Sequence, residues 1–459
     1  MTVVSGKPLM HSLSHISEKS VVDVQDNQLV ATESADTDTD IPVTYVDEDD
    51  QMQSAAHQQL EEFSDTRKKW SVAIVSFCGL ASPLSSHIYF PALISIAQDL
   101  HASQVAVNAS ISAYIFIMGI APMGWASFAD VHGRRSIYTV SLLIYVIATI
   151  LCGLSVNVEM LIAMRVFQAM GSSSVIAVGA GTIADIYEPK VRGTAMGFFF
   201  QGPLIGPLLG PVIGGYLNEY LGWRSIFYVL AGLGALMLIM VAFFLPETLA
   251  SARMKELERR KIKLATKVSF WQRLKNSARE LAISFKGFNP LRPMKMLRYP
   301  AVVITTIVMA CMISALYIIL TTLPEAFTAI YKDLTSGQLG LLYLAGGLGN
   351  VIGSLTGGRA TDMVRKRLVK KEVKRLSQIS AYSNVTMPKP QIAPELRLTT
   401  GLFGAILVVL AYPAYGWVMQ FAMNGLSVSI AVPLIVLFVL GFGNMFIMAG
   451  VCSLSCCLV

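Results

Sequence analysis

The amino-acid sequence predicts an all-α polytopic membrane protein, and three observations support this fold class. Only 14% of the 459 residues are charged and 54% are hydrophobic, which is more apolar surface than a water-soluble chain needs. Apolar runs of about 20 residues, long enough to cross a bilayer as a helix, recur from residue 70 onward. The runs are continuous rather than short and alternating, so helices and not barrel strands would satisfy their backbone in lipid.

Ten runs meet this description, and each is predicted to be a membrane-spanning helix. Six of them precede a long basic segment and four follow it, so we expect a six-span bundle at 70–245 and an incomplete second bundle at 301–459. The predicted spans are 70–92, 106–128, 136–155, 160–184, 194–218, 224–245, 301–323, 337–358, 398–419 and 428–451.

The polar segments outside the spans indicate the orientation. Residues 1–69 are acidic and lack long apolar runs, as in ESADTDTD, so we expect a disordered tail without a cleavable signal. Four loops hold 27 Lys and Arg, whereas the five alternate loops hold only Lys332. Under the positive-inside rule, the tail and the four basic loops are cytoplasmic. These loops are 129–135, 185–193, 246–300 and 361–397.

The longest basic loop, 246–300, contains the amphipathic stretch MKELERRKIKLATKVSFWQRLKNSARELAISFKGF, which has helical character. It is either a solvated linker between the two bundles or a helix that lies on anionic headgroups. A nucleic-acid partner is not expected, because the bases are spread over loops and do not form one folded basic face.

A weak internal repeat supports the division into two bundles. ADVHGRRSIY at 129–138 ends the second span, and TDMVRKRL at 361–368 ends the eighth. Each follows a glycine-containing span and places an aspartate before clustered bases. Parallel six-span repeats are one way in which secondary transporters are built. The candidate residues of the second-half loop motif are Gly358, Asp362, Arg365 and Lys366.

Three motifs follow one another in the first bundle: GWASFADVHGRR, RVFQAMG and GPLLGPVIGGYL. Together they resemble the major facilitator superfamily, specifically its fungal twelve-span drug:proton antiporters of the quinidine-resistance type, over residues 70 to about 450. The first motif departs from the family's loop signature at Ala126 and Val131. The matching residues are Asp130, Gly133, Arg134 and Arg135; then Arg165, Gln168 and Gly171; then Gly206, Gly210, Pro211, Gly214 and Gly215.

The resemblance implies roles for several of these residues. Asp130 and Arg134 would form a cytoplasmic gate latch with Asp185 at the end of the fourth span, the alternative being plain surface solvation. Arg165 and Gln168 would belong to the proton-coupling machinery. An arginine inside a span is functional by default, although Arg165 could instead snorkel to the outer interface.

The fifth span carries the antiporter motif, in which glycines stand four apart and three of them precede proline. In water, each internal proline would cost a helix about 3 kcal/mol. In a membrane, small residues four apart let helix backbones approach closely, and prolines are tolerated where neighbours satisfy the freed carbonyls. We therefore expect a closely packed, kinked hinge, which the resemblance places at the interface over which the two halves rock.

Two other side chains are candidate proton carriers. His87, in SPLSSHIYFPAL, titrates near neutrality. Glu325, in TTLPEAF, is an acid at the end of the seventh span. The alternative for both is a packed or interfacial polar residue.

These features favour a secondary active transporter that exports hydrophobic or cationic small molecules by alternating access. A proton gradient would supply the energy, since about 2.3 kcal/mol is available per charge per 100 mV. No phosphate loop, metal cluster or nucleophile with a histidine and carboxylate partner appears in the sequence, and the six cysteines lack ligand spacing, so we expect neither enzyme activity nor a cofactor or metal. The expected partners are a small-molecule substrate, protons and the lipid bilayer, at the plasma membrane or the vacuolar membrane.

Two alternatives stay open. One is a sugar or metabolite facilitator of the same superfamily, although LPET at 245–248 is similar to the exporter pattern. The other is a truncated membrane protein that does not transport. The family continues through two further spans beyond VCSLSCCLV, so the resemblance leads us to expect impaired transport by the 459-residue chain.

Overall fold

The described part of the molecule, in a computed structural model, comprises residues 64–249, 298–331, 334–383, 398–424 and 428–458. The acidic tail up to residue 63 and the amphipathic stretch of the central loop lie outside the described residues.

Twelve α-helices and one short 3-10 turn make up the described residues. Ten segments are long and apolar enough to cross a membrane, which confirms the all-α polytopic fold class and the ten spans. The helices are α1 Asp65–Gly79, α2 Ala81–His87, α3 Leu93–Asp99, α4 Gln104–His132, α5 Arg134–Gly153, α6 Val158–Ile186, α7 Pro189–Leu221, α8 Trp223–Phe244, α9 Pro300–Ile330, α10 Ser336–Ser383, α11 Leu398–Met423 and α12 Ala431–Leu458.

The first span is broken into α1, α2 and α3, and it runs from Asp65 to Asp99, beyond both predicted ends. A 3-10 turn at Phe90–Ala92 separates α2 from α3. Pro91 stands in that turn and supplies no N–H to continue the α-helical ladder. The break frees backbone carbonyls in the middle of the bundle, where a regular helix would hide them.

Two glycines turn the chain sharply between helices. Gly133, with φ 93° and ψ 153°, is the one residue between α4 and α5. Gly222, with φ 78° and ψ 162°, separates α7 from α8 in the same way. Positive φ favours glycine because it has no Cβ. The predicted loop 129–135 therefore contains one non-helical residue.

The first part of the predicted loop 361–397 is helical, because α10 continues beyond the eighth span to Ser383. The segment RKRLVKKEVKRLSQI consists largely of good helix formers and contains neither glycine nor proline. The second-half motif also has Arg365 at the position that corresponds to Gly133, so nothing breaks the helix after Asp362. The loop motif of the second half is therefore helical.

Two hydrophobic clusters organise the packing. One lies within the first half, residues 64–249, around side chains such as Val75, Tyr138 and Phe199. The other joins Phe90 of the first half to side chains of the second half, residues 298–458, such as Phe327. Between the halves, the main helix pair is α7 against α10.

The bundle has two ends, which we name after an arginine at each. The Arg134 end carries the α4–α5 junction, the α6–α7 junction and residues 245–249. The Arg224 end carries the α5–α6, α7–α8 and α9–α10 junctions.

Candidate functional site

Arg165 is fully buried in α6, in the middle of the first half. Its Nη1 donates to the carbonyl oxygen of Ser85 at 3.0 Å and to Oε1 of Gln168 at 2.9 Å. Its Cζ lies 4.1 Å from the centre of the Tyr89 ring and 4.8 Å from that of Tyr114, within cation–π range. The side chain therefore does not reach the outer interface, as snorkelling would require.

The hydrogen bonds around Arg165 are incomplete. Its Nε and Nη2 atoms are buried without an acceptor among the described residues, and none of the described ion pairs includes it. Nε2 of Gln168 donates to Thr149 Oγ1 at 2.9 Å, which ties the pair to α5. A cation held inside a span without a counter-charge costs about 3 kcal/mol, so a structural role alone explains it poorly.

His87 lies where the two halves meet. It ends α2, is 7% exposed, and its ring centre is 5.8 Å from that of Tyr317 in α9. The adjacent Ser86 hydroxyl is 3.5 Å from the Tyr317 hydroxyl. His87 Nδ1 lies 2.8 Å from the Pro83 carbonyl oxygen and 2.8 Å from Ser86 Oγ. A carbonyl oxygen only accepts, so the neutral tautomer that bonds to Pro83 has its proton on Nδ1 and leaves Nε2 as the basic atom. The break in the first span thus positions a titratable ring against the second half.

The Arg134 end contains a network of charged groups. Arg134 Nε lies 3.0 Å from Asp185 Oδ2, and its Nη1 lies 2.7 Å from Asp130 Oδ1. The structure thus brings the three predicted latch residues together. All three belong to α4, α5 and α6 of the first half, so their mutual contacts join helices within that half and not one half to the other. Arg135 Nη2 donates to the Ala242 carbonyl at the end of α8.

Glu247 completes this network, and the sequence analysis did not select it. Its carboxylate accepts from the backbone N–H of Arg134 at 2.8 Å and of Arg135 at 3.2 Å, and so caps the start of α5. It also accepts from the N–H groups of Thr248 and Leu249. Burial raises the pKa of the Glu247 carboxyl, and the four N–H donors partly oppose that shift. The LPET pattern was the available signal, but no local rule relates it to a helix that begins 113 residues earlier.

The Gly-Pro helix α7 remains a single α-helix through Pro203, Pro207 and Pro211. Pro203 leaves the Phe199 carbonyl without its helical donor, and the Ser76 hydroxyl of α1 donates to that oxygen at 3.2 Å. A neighbouring helix thus satisfies one freed carbonyl, as the sequence analysis requires.

The motif glycines of α7 face the first span and α10. A Cβ on Gly206 would lie 2.7 Å from the Leu84 nitrogen, and one on Gly210 would lie 3.0 Å from the Ile88 nitrogen. One on Gly214 would overlap the Ile88 carbonyl, and one on Gly215 would overlap the Ser336 carbonyl of α10. Only glycine permits this approach of three helices.

The Arg224 end is joined across the two halves. Nδ2 of Asn218 in α7 donates to Ser336 Oγ, at the start of α10, at 2.9 Å. The neighbouring Glu219 carboxylate accepts from the Gly337 N–H at 2.9 Å and caps α10. In addition, the Pro211 carbonyl of α7 closely approaches Gly340.

Toward the Arg134 end, α7 and α10 lose this contact. A Cβ added to Gly193 or Gly197 of α7, or to Gly358 of α10, would meet nothing within 4 Å. The hydrogen bonds described above between the halves lie in the middle of the bundle and at the Arg224 end. The close backbone approach of α7 to α10 likewise lies toward the Arg224 end.

The remaining candidates lie away from these contacts. Glu325 is exposed on α9, five residues before the helix ends. Gly358 and Lys366 are exposed on α10, and Asp362 and Arg365 lie on the same helix. Arg224, which was predicted to lie inside a span, is the second residue of α8 and pairs with Asp99.

Comparison with protein families gives one match over most of the chain. Residues 75–457 match the family model described as Major Facilitator Superfamily.

Several characterised proteins are similar in sequence. Dityrosine transporter 1 of Saccharomyces cerevisiae is 29% identical over 444 residues, which cover 91% of this chain and 72% of that protein. MFS antiporter QDR3 of Candida albicans is 40% identical over 42% of this chain and 28% of its own length. Multidrug transporter DTR1 of Candida glabrata is 31% identical over 76% of this chain and 66% of its own length. The chain thus spans less than two thirds of the latter two.

Among solved structures, a bacterial homologue of the human lysosomal transporter Spinster, in an inward-facing and unoccupied conformation, matches with a TM-score of 0.56. The match covers 86% of this chain and 79% of that one at 13% identity, so it shows the fold alone.

Proposed function

Because the chain belongs to the Major Facilitator Superfamily and is a multi-pass membrane transporter, we propose that it exports small molecules in exchange for protons. Two observations support the proposal: described contacts at the Arg224 end join the two halves, and a titratable side chain lies where the halves meet. The antiporter and multidrug names of two relatives agree with it.

The observation that carries the proposal is His87 at the boundary between the halves. Protonation of Nε2 would place a positive charge in a buried setting beside Tyr317, 5.8 Å away between ring centres. Such a charge is costly in a low-dielectric interior. It would therefore favour the arrangement of the halves in which the ring reaches water, and so couple protonation to alternating access.

Arg165 would belong to the same proton-coupling machinery. It is fixed by the Ser85 carbonyl, two residues before His87, and by Gln168. Glu325 stays a candidate carrier, but none of its described contacts involves the first half.

We propose that the Arg134 end faces the cytoplasm, at the plasma membrane or the vacuolar membrane. The charge bias of the loops supports this orientation. Arg224 adds one base at the opposite end, where Asp99 pairs with it.

The test is proton-driven flux in liposomes that contain the purified chain. We expect an imposed pH gradient to drive substrate movement and a protonophore to abolish it. His87→Gln should keep binding but uncouple flux from the gradient, whereas Gln98→Ala, near the Arg224 end, should change neither. Flux that ignores the gradient would indicate a facilitator, and the absence of any flux would indicate a membrane protein that does not transport.

A further inference from the structure

A cleft of about 790 Å³ opens between α1 and α7 in the first half, toward the Arg134 end. Its walls are largely apolar, with Phe77 on α1, Leu80 just after that helix, and Phe198 and Ile205 on α7. The volume lies within the range of pockets that hold one drug-sized molecule. Neither Arg165 nor the other proton-coupling candidates line this cleft, so it is a separate feature of the bundle.

Lys69 is the one charged residue among the described lining residues of this cleft. It is exposed, and none of the described ion pairs includes it. Asp65 precedes it by one helical turn but neither lines the cleft nor forms an ion pair with it. The Ser76 hydroxyl is already bonded to α7 carbonyls, so it is not available to a ligand. The cleft therefore combines an apolar body with one cation that has no ion-pair partner among the described residues.

The interior of the first half carries a positive charge, as the cleft does. Arg165 is buried there without a described carboxylate partner. Within the described spans, the acidic side chains are exposed or stand at helix ends, as Asp130 and Asp185 do. A cationic substrate would thus find no buried carboxylate in these described spans, whereas an anion in the cleft would meet Lys69.

We propose that this cleft binds small amphipathic organic anions, with the apolar body between Phe77 and Phe198 and the negative group at Lys69. The inference rests on the proposed function, since it names the substrate class that the exporter would carry. It differs from the hydrophobic or cationic substrates that the sequence favours.

The test uses three probes that share one apolar body: naphthoate, naphthamide and naphthylmethylammonium. Their binding to the purified chain in phosphatidylcholine nanodiscs is measured by equilibrium dialysis without a pH gradient, and empty nanodiscs correct for partition into lipid. We expect naphthoate to bind about fivefold more tightly than naphthamide, as suits one partly solvated ion pair, and the ammonium to bind most weakly.

Matched variants assign the effect to the cleft. Lys69→Gln should remove the preference for naphthoate over naphthamide, while Arg67→Gln, which removes an equal charge two residues away from the lining, should preserve it. Phe198→Ala should weaken all three probes by a similar factor. Adding phosphatidylserine should leave naphthoate binding in place, whereas a lipid site would lose it by competition.

Equal or tighter binding of the ammonium probe would overturn the proposal, and so would a preference for naphthoate that survives Lys69→Gln. Failure of all three probes to bind would also overturn it, because the cleft would then be filled by lipid or by another part of the chain. The proposed function is judged separately by proton-driven flux. Binding that discriminates without flux refutes the exporter and leaves the anion site standing.

Discussion

The two ends of the bundle differ in what their polar groups hold together. At the Arg224 end, Asn218 and Glu219 of α7 bind the start of α10, so the contact crosses between the halves. At the Arg134 end, Arg134, Asp185 and Glu247 connect elements of the first half only. One network therefore joins the two halves, and the other joins elements of the first half.

The packing of α7 also differs between the two ends. Near the Arg224 end its glycines approach other backbones so closely that no Cβ fits, whereas near the Arg134 end an added Cβ meets open space. α7 therefore packs tightly against other backbones near the Arg224 end and loosely near the Arg134 end. A transporter that alternates needs both properties, because one end must stay closed while the other is open.

The largest expected effect comes from substituting glycines near the two ends of α7. Gly214→Val should prevent folding, since the new side chain overlaps the Ile88 carbonyl, and overpacking against a rigid backbone costs about 3 kcal/mol or more. Gly197→Val is the matched control and should change stability by under about 0.5 kcal/mol, because its site is open. Thermal unfolding monitored by size-exclusion chromatography measures both. Equal tolerance of the two variants would contradict the close packing at the Arg224 end.

The next effect concerns Arg165, which lies between the two ends of the bundle. Arg165→Ala should lower proton-driven flux about a hundredfold while the chain stays folded, since it removes roughly 3 kcal/mol of charged hydrogen bonds. Arg165→Lys should restore only part of the flux, because lysine lacks the planar guanidinium that lies over the Tyr89 ring. Unchanged pH-driven uptake by Arg165→Ala vesicles would remove this residue from the mechanism.

A smaller effect sharpens the comparison at the Arg134 end. Arg134→Asp and Asp185→Arg should each slow transport, and the double variant should recover part of the loss by restoring the pair. The single variants should also lose stability, because the two side chains are 10% and 20% exposed and each reversal leaves a largely buried charge without its partner. A control swap of Asp99 and Arg224 tests the other end. A double variant that recovers nothing would argue against a direct interaction of Arg134 with Asp185.

The smallest effect is a pH dependence from Glu247. Burial raises the pKa of its carboxyl in the folded chain, so the folded state keeps this proton to a higher pH than the unfolded state does. The stabilising contribution is therefore complete below about pH 4.3, the ordinary glutamate value, and is lost as the pH rises through the folded pKa. As the pH falls from neutral, we expect the melting temperature of the parent chain to rise relative to that of Glu247→Gln. A constant or shrinking difference would contradict this assignment.

Much of the fold could be predicted from the sequence. Hydrophobic runs fix the spans because lipid permits almost no other backbone arrangement, and the helical spacing of Arg165 and Gln168 already implies that the two side chains meet. The break in the first span and the extension of α10 were missed. Each depends on a local balance, namely one proline in the first case and the lack of a glycine beside Arg365 in the second.

The polar contacts between distant segments could not be predicted in the same way. Glu247 reaches the start of α5, and Asn218 reaches Ser336, only because helix packing brings those ends together. No periodicity or motif spacing carries that information. The roles of the motif residues likewise stay predictions, because geometry shows their contacts and not their part in transport.

The central claim is that the two ends of the bundle open and close alternately. Pairs of spin labels at the two ends test this claim most directly. In a chain whose native cysteines are serine, one pair occupies Gly197 and Gly358 at the Arg134 end, and the other occupies the exposed positions Leu221 and Thr335 at the Arg224 end. Distances are recorded in nanodiscs at neutral and at acidic pH. The account predicts opposite changes: the Arg134-end distance shortens while the Arg224-end distance lengthens. Changes in the same direction, or no response at either end, would contradict it.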